Sequence, residues 1–241
     1  MGRIFWFYST QWTDPNGRTR FWESAERRTR SSSGVDGVAI VAKCMNKNEQ
    51  PKTLIISQYR PPLGSFCLEI PAGLVDEGED VETAALRELK EETGYCGKLI
   101  SLSPVCYNDP GLTNANMMMA IVEVDMDAAE NRLATQELHD GEFITVQFAP
   151  WNDLLSWLFE KRKAKGYDID ARLLSFAMGM HQASISAPLP LGGEMQPTNR
   201  QEKSQGKHHH GRLLKRIKVP NFLMYAAGVL SAALVSALMN K

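Results

Sequence analysis

Residues Gly73 to Tyr95 read GLVDEGEDVETAALRELKEETGY. From Val81 to Glu92 the stretch holds neither Gly nor Pro and is rich in Ala, Leu and Glu, so its composition favours helix. At about 100° per residue, Glu92 falls about 40° from Glu88 and Glu91 about 60° to the other side. Leu89 and Leu86 lie further round, at about 100° and about 160°. The helix therefore sets a carboxylate stripe beside an apolar one. Like charges so spaced repel by about 0.2–0.5 kcal/mol per pair. A hard divalent cation is the simplest compensating partner, since Mg2+ takes clustered carboxylates together with phosphate oxygens. A solvated acidic face is the other reading of the same three residues.

Outward from this helix the chain alternates β-prone and helical stretches. Gly37–Ala42, Thr53–Arg60 and Phe66–Ile70 are rich in β-branched and apolar residues, and Pro71 stops the third. After the helix, Leu99–Cys106, Asn116–Val124 and Glu142–Phe148 read as three more strands. Asp153–Lys165 and Asp170–Ala183 read as amphipathic helices, each opening on an acidic cap residue. Upstream, Asp14-Pro15-Asn16-Gly17 is a turn signal between two β-prone runs and predicts a hairpin. The fold class expected from this order is α/β, a mixed sheet flanked by helices.

The spacing of the opening stretch carries more than its helicity. Gly73, Glu79, Arg87, Glu88, Leu89, Glu91, Glu92, Gly94 and Tyr95 match the pattern GX5EX7REUXEEXGU, with U apolar, at every fixed position. The chain resembles the Nudix hydrolases. That resemblance implies an α/β/α sandwich with a mixed sheet, and a loop-helix-loop that binds Mg2+ or Mn2+ and cleaves a nucleoside diphosphate linked to a further group. Further segments narrow it. Trp22-Glu23-Ser24, Gln58-Tyr59-Arg60-Pro61-Pro62, Glu69-Ile70-Pro71-Ala72-Gly73-Leu74, Asp109-Pro110-Gly111-Leu112-Thr113-Asn114 and Asp140-Gly141-Glu142-Phe143 occur in this order. The set is similar to the ADP-ribose (ADP-sugar) pyrophosphatases over about residues 13–184.

The subfamily likeness implies a site. Glu88, Glu91 and Glu92 are expected as metal ligands, with the Ala72 carbonyl completing the set. Glu142 is the expected base, with Glu91 the alternative, because a box glutamate serves in some relatives. Arg87, with Glu79, is expected to hold the loop against the helix within the catalytic group. Trp22 offers adenine a flat surface, and Glu23 an acceptor for its amino group. Arg27 and Arg60 are candidates for the diphosphate and terminal ribose, since guanidinium forks onto phosphate oxygens. Leu74 and Asp109 complete the expected substrate contacts. The likeness also implies a homodimer in which a second aromatic, among Phe5, Trp6, Phe7, Tyr8 and Trp12, stacks on the base. ADP-ribose hydrolysis to AMP and ribose 5-phosphate is the reaction implied. Other nucleoside diphosphate derivatives, oxidised ones included, and non-catalytic ADP-ribose binding stay open.

Charge is unevenly spread. Residues 1–185 carry 19 Lys/Arg against 26 Asp/Glu, whereas residues 186–218 carry 7 against 2. The four cysteines, Cys44, Cys67, Cys96 and Cys106, show no CxxC spacing, which fits reduced thiols. Residues 1–36 lack the layout of a secretory signal. They are expected to form the hairpin region, followed by the hydrolase domain at 37–184 and a flexible basic linker at 185–218. His208-His209-His210 falls in that linker and reads as incidental. From Phe222 to Met239 there are 18 residues without charge, about 27 Å of helix. With basic residues before it, residues 219–239 are expected to be a transmembrane tail anchor with the catalytic part facing the cytosol, in the mitochondrial outer membrane or endoplasmic reticulum. The same basic stretch, lying next to an apolar segment, points to a membrane surface and not to nucleic acid.

Overall fold

The computed structural model describes residues 5–28, 30–185 and 212–218. The described residues fall into two compact units, one made of residues 5–28, 107–115 and 212–218, the other of residues 30–106 and 116–185. The division is non-contiguous, and the 107–115 loop goes with the hairpin.

In the larger unit the sheet is mixed. Its main path runs β11 (Asp168–Ile169), β5 (Ser65–Glu69), β4 (Lys52–Arg60), β3 (Gly37–Met45), β9 (Asn116–Asp125) and β7 (Lys98–Leu102). β10 (Thr145–Pro150) joins on β4, and β6 (Ala72–Leu74) on β3. β3 and β9 are parallel from Gly37↔Met117 to Met45↔Asp125; their neighbours on the path are antiparallel except at the β11–β5 end. Successive residues of β3 face opposite ways. Val38, Ile40, Ala42 and Cys44 join one core cluster with Ala84, Ala85 and Leu89 of helix α1 (Val81–Thr93). Ala39 and Val41 join a second with Leu154 and Leu158 of α2 (Leu154–Lys165) and Leu173 and Ala177 of α3 (Ala171–Ile185). The continuous apolar run of β3 is therefore a strand buried on both faces, and the unit is the α/β/α sandwich expected.

Two boundaries move. Glu142 was expected on a strand, but β10 begins at Thr145, because Gly141 turns the chain at φ 89°. The strand expected at Leu99–Cys106 ends at Leu102, before Pro104, which has no N–H to donate.

In the smaller unit β1 (Phe5–Thr13) and β2 (Thr19–Arg27) form the predicted hairpin. Asp14 Oδ1 accepts from the N–H groups of Asn16 and Arg18 at 2.9 Å each, and Gly17 takes φ 79°. A third strand, β12 (Arg212–Lys218), pairs antiparallel with β1. This corrects the reading of residues 185–218 as flexible linker throughout: β1 has an edge to offer, and the chain pairs residues 212–218 with it. The expected anchor at 219–239 and the histidine run lie outside the described residues. No helix among the described residues is long and apolar enough to cross a membrane.

Candidate active site

The site in the larger unit is built on α1 and the loop before it. Asp80 caps the helix, accepting from Thr83 N–H at 2.8 Å, and Gly94 ends it in the left-handed conformation with its N–H on the Lys90 carbonyl. Arg87 is the hub. Its Nε and Nη2 fork onto the two oxygens of Glu79, its Nη2 also reaches the Leu74 carbonyl, and its Nη1 bridges Glu88 Oε1 and Glu91 Oε2, all at 2.9 Å. One guanidinium thus ties the loop to the helix and also holds two of the three helix carboxylates. The bond to Glu79, with those to Glu88 and Glu91, outweighs burial and raises Arg87 above the usual guanidinium range.

Glu88 lies over Gly73. A Cβ on Gly73 would stand 1.8 Å from Glu88 Cδ, so the glycine is needed for space. Glu92 is 5% exposed and its Oε2 accepts from the Ala72 N–H at 2.8 Å. Burial lifts the Glu92 carboxyl from 4.5 to about 8, opposed by that N–H and reinforced by the charges of Glu88, Glu142 and Glu69. Burial likewise raises Glu88, against Arg87, with Glu91 and Glu142 adding to the rise. The site holds more negative charge than Arg87 offsets.

Among the described residues no three acidic, Cys or His side chains converge as a ready cation site. The reason is visible: Glu88 and Glu91 turn to Arg87, and Glu92 turns to Ala72 N–H. The three carboxylates offer oxygen donors alone, which suits a hard cation. The surplus of negative charge fits one as well.

Glu142 is exposed and lies in a turn. Its N–H donates to the His139 carbonyl at 3.1 Å, and its Oε2 accepts from the His139 N–H at 2.9 Å. The preceding loop is tied to the end of α1. Glu137 N–H donates to the Glu91 carbonyl at 2.8 Å, Gln136 Nε2 to the Glu92 carbonyl at 2.7 Å, and Lys90 pairs with Glu137 at 3.1 Å. His139 Nε2 lies 3.6 Å from Glu91 Oε2. These contacts, absent from the sequence reading, link Glu142 to the box helix.

Arg60, expected on phosphate, forks onto Glu69 at 2.6 Å twice. Leu74 joins the site through its carbonyl. The remaining expected substrate residues belong to the smaller unit. There Trp22 is 52% exposed, and its indole N–H donates to the Gly111 carbonyl at 2.8 Å, which fixes the ring. A pocket of about 290 Å³ lies against Trp22, Ser24, Tyr107 and Leu112. Trp22 and Glu23 are successive residues of β2, opposite Thr10 and Ser9, so they point to opposite faces and the structure does not bring them together. Arg27 stacks on Phe5 at 5.1 Å. The Asp109 carbonyl accepts from Thr113 N–H at 2.8 Å in the 107–115 loop.

A profile of the NUDIX domain matches residues 35–169. The chain belongs to the Nudix family. It is 48% identical to an ADP-ribose pyrophosphatase of Saccharomyces cerevisiae over 70% of this chain and 74% of that one. It is 36% identical to an ADP-sugar pyrophosphatase of Mus musculus over 76% and 84%, and 49% identical to an uncharacterized Nudix hydrolase of Schizosaccharomyces pombe over 71% and 82%. A crystal structure of an ADP compounds hydrolase shares the fold at TM-score 0.52 and 21% identity, covering 76% of this chain and 88% of that one. The sequence reading of this Nudix hydrolase missed the roles of Glu69, which Arg60 forks onto, and of Arg172 and Asp170 behind it. Their one signal is chemical: a Glu ending an apolar strand and an Asp-x-Arg opening a helix both need partners once buried.

Proposed function

We propose that this chain hydrolyses the diphosphate of ADP-ribose and related ADP-sugars, releasing AMP and ribose 5-phosphate. The observation that carries the reading is the crowding of three box glutamates, Glu88 and Glu91 on one guanidinium and buried Glu92 on the Ala72 N–H, with Gly73 making room for Glu88. The pyrophosphatases named above, 48% and 36% identical, favour the ADP-sugar substrate.

In the reaction a water oxygen bonds to one phosphorus, and the bridging oxygen leaves with the other phosphate. The water's proton passes to a carboxylate. Glu142 is the proposed acceptor, with Glu91 the alternative. A cation, Mg2+ or Mn2+, would be held by Glu88, Glu91, Glu92 and the Ala72 carbonyl, and would neutralise phosphoryl charge and acidify water. Trp22 stacks on adenine, for which about 1–3 kcal/mol is typical. Arg60, Arg27, Glu23, Leu74 and Asp109 are the further substrate contacts proposed.

Incubation of the purified chain with ADP-ribose and Mg2+ is expected to release AMP, and Glu92→Gln to abolish release. Glu142→Gln is expected to lower kcat by orders of magnitude at similar Mg2+ affinity; an unchanged kcat removes Glu142 from the mechanism. We further propose a homodimer, favoured by the aromatic-rich β1, which sedimentation tests. The uncharged Phe222–Met239 run favours a tail anchor in the mitochondrial outer membrane or endoplasmic reticulum with the site facing the cytosol. Release by carbonate extraction would refute that anchor.

A further inference from the structure

Arg60 does not stand alone in the larger unit. Its Nε and Nη2 donate to Glu69 Oε1 and Oε2 at 2.6 Å each, and Glu69 is 3% exposed at the end of β5. A second guanidinium flanks the same carboxylate: Arg172 Nη2 lies 3.9 Å from Glu69 Oε2. Arg172 is itself fixed. Its Nε and Nη2 fork onto Asp170 at 2.8 Å each, and its Nη1 reaches Met117 Sδ at 3.4 Å.

Asp170 anchors this arrangement to the sheet. Its N–H donates to the Leu68 carbonyl at 3.0 Å, and its Oδ1 accepts from the N–H groups of Arg172 and Leu173. The first turn of α3 is thereby clamped beside the residue that precedes Glu69. The result is a chain of alternating charge, Arg60, Glu69, Arg172, Asp170, in which the two acids are the more buried members.

A guanidinium carries five N–H donors. The fork to Glu69 takes two from Arg60, and the side chain is 44% exposed, so an incoming anion meets the rest of it. An anion that draws on Arg60 weakens the compensation of Glu69, and an uncompensated buried carboxylate is costly. Arg172 supplies a second counter-charge beside the buried Glu69 carboxylate, which in turn keeps Arg60 in place.

We propose that Arg172 is a positioning residue for substrate binding, acting through Glu69 on Arg60. The proposal rests on the ADP-sugar hydrolase reading above. Arg172 touches no substrate in it; its work is to keep the Glu69 fork aimed while Arg60 takes a phosphate oxygen.

The test is a double-mutant cycle on the full chain, with KM and kcat measured for ADP-ribose in Mg2+. Arg60→Gln and Arg172→Gln are each expected to raise KM on the order of ten- to a hundredfold, the loss of one charge-assisted contact, with a much smaller change in kcat. The double variant is expected to be no worse than Arg60→Gln alone, because both substitutions remove one interaction. Arg172→Lys, which keeps the charge without the planar fork, is expected to recover part of the loss. Unchanged KM in Arg172→Gln, or a double variant whose KM rise is the product of the singles, overturns the proposal. Should Arg172→Gln fail to fold, Glu69→Gln, which keeps the shape, must show the same KM rise and the same non-additivity with Arg60→Gln; wild-type KM there overturns it equally. Absence of AMP release by the wild-type chain overturns the hydrolase reading and this inference together, whereas loss of non-additivity in an active enzyme overturns only this one.

Discussion

Gly73 works through the side chain it lacks. A methyl group there would overlap the carboxylate of Glu88, 1.8 Å from its Cδ. The atoms it meets are the far end of a flexible side chain, so Glu88 would swing aside and the backbone would stay. Gly73→Ala is therefore expected to cost activity far more than stability. AMP release should fall about 10–100-fold, the usual effect of disturbing a ligand's surroundings, while the melting temperature moves by only a few degrees, about 1 kcal/mol of stability. A melting temperature that collapses with the activity would show that the glycine serves the fold instead. Arg87 belongs to the same level. Its bond partners are Glu79, Glu88, Glu91 and Leu74, and a Lys there has no fork with which to serve them all.

Helix ends set the next level. At the start of α1 the Asp80 cap satisfies the Thr83 N–H, and Asp80→Ala is expected to cost about 1 kcal/mol in chemical denaturation. At its end Gly94 has φ 82°, and a Cβ would stand 2.6 Å from the Thr135 backbone nitrogen. Backbone cannot step aside as the tip of a side chain can, so Gly94→Ala is expected to cost distinctly more than the cap. It should also loosen the loop that leads to Glu142. The first turn of α3 carries a pH signature. Burial pushes the Asp170 carboxyl up, but the hydrogen bonds and charge of Arg172 and the helix N–H groups pull it further down, so its net shift is below 3.8. The unfolded chain then binds more protons than the folded one across that window, so stability falls as pH drops below about 4. Asp170→Asn is expected to be less stable at neutral pH and to show a shallower acid limb in thermal melts from about pH 6 to about pH 3. An acid limb parallel to the wild type would mean the carboxyl contributes nothing there.

Across the chain as folded, residues far apart in sequence complete one another. β12 pairs with β1 from Tyr8↔Lys218 to Thr13↔Arg212, so residues near the C-terminus cover an edge that would otherwise lie open. Removal of residues 212–241 is expected to expose alternate backbone amides of Tyr8 to Thr13, seen as faster hydrogen exchange, whereas a chain ending at Lys218 keeps their protection. Equal exchange in the two would argue that the pairing adds no stability to the hairpin.

Much of this was legible in the residues. The spacing of Gly73, Glu79, Arg87, Glu88, Glu91 and Glu92 fixes the family because each residue acts on a neighbour within one loop and helix. The run Gly37–Ala42 declares a strand, and Asp14-Pro15-Asn16-Gly17 declares its turn, because local backbone preference decides both. Only the fold could say that Arg172 stands behind the Glu69 carboxylate and that residues 212–218 form a strand on β1. Those facts depend on which segments meet and at what register, and pairing across a hundred or more residues leaves no periodic trace in a sequence. Local chemistry is written along the chain, while the partners of a buried charge are chosen when the chain closes on itself.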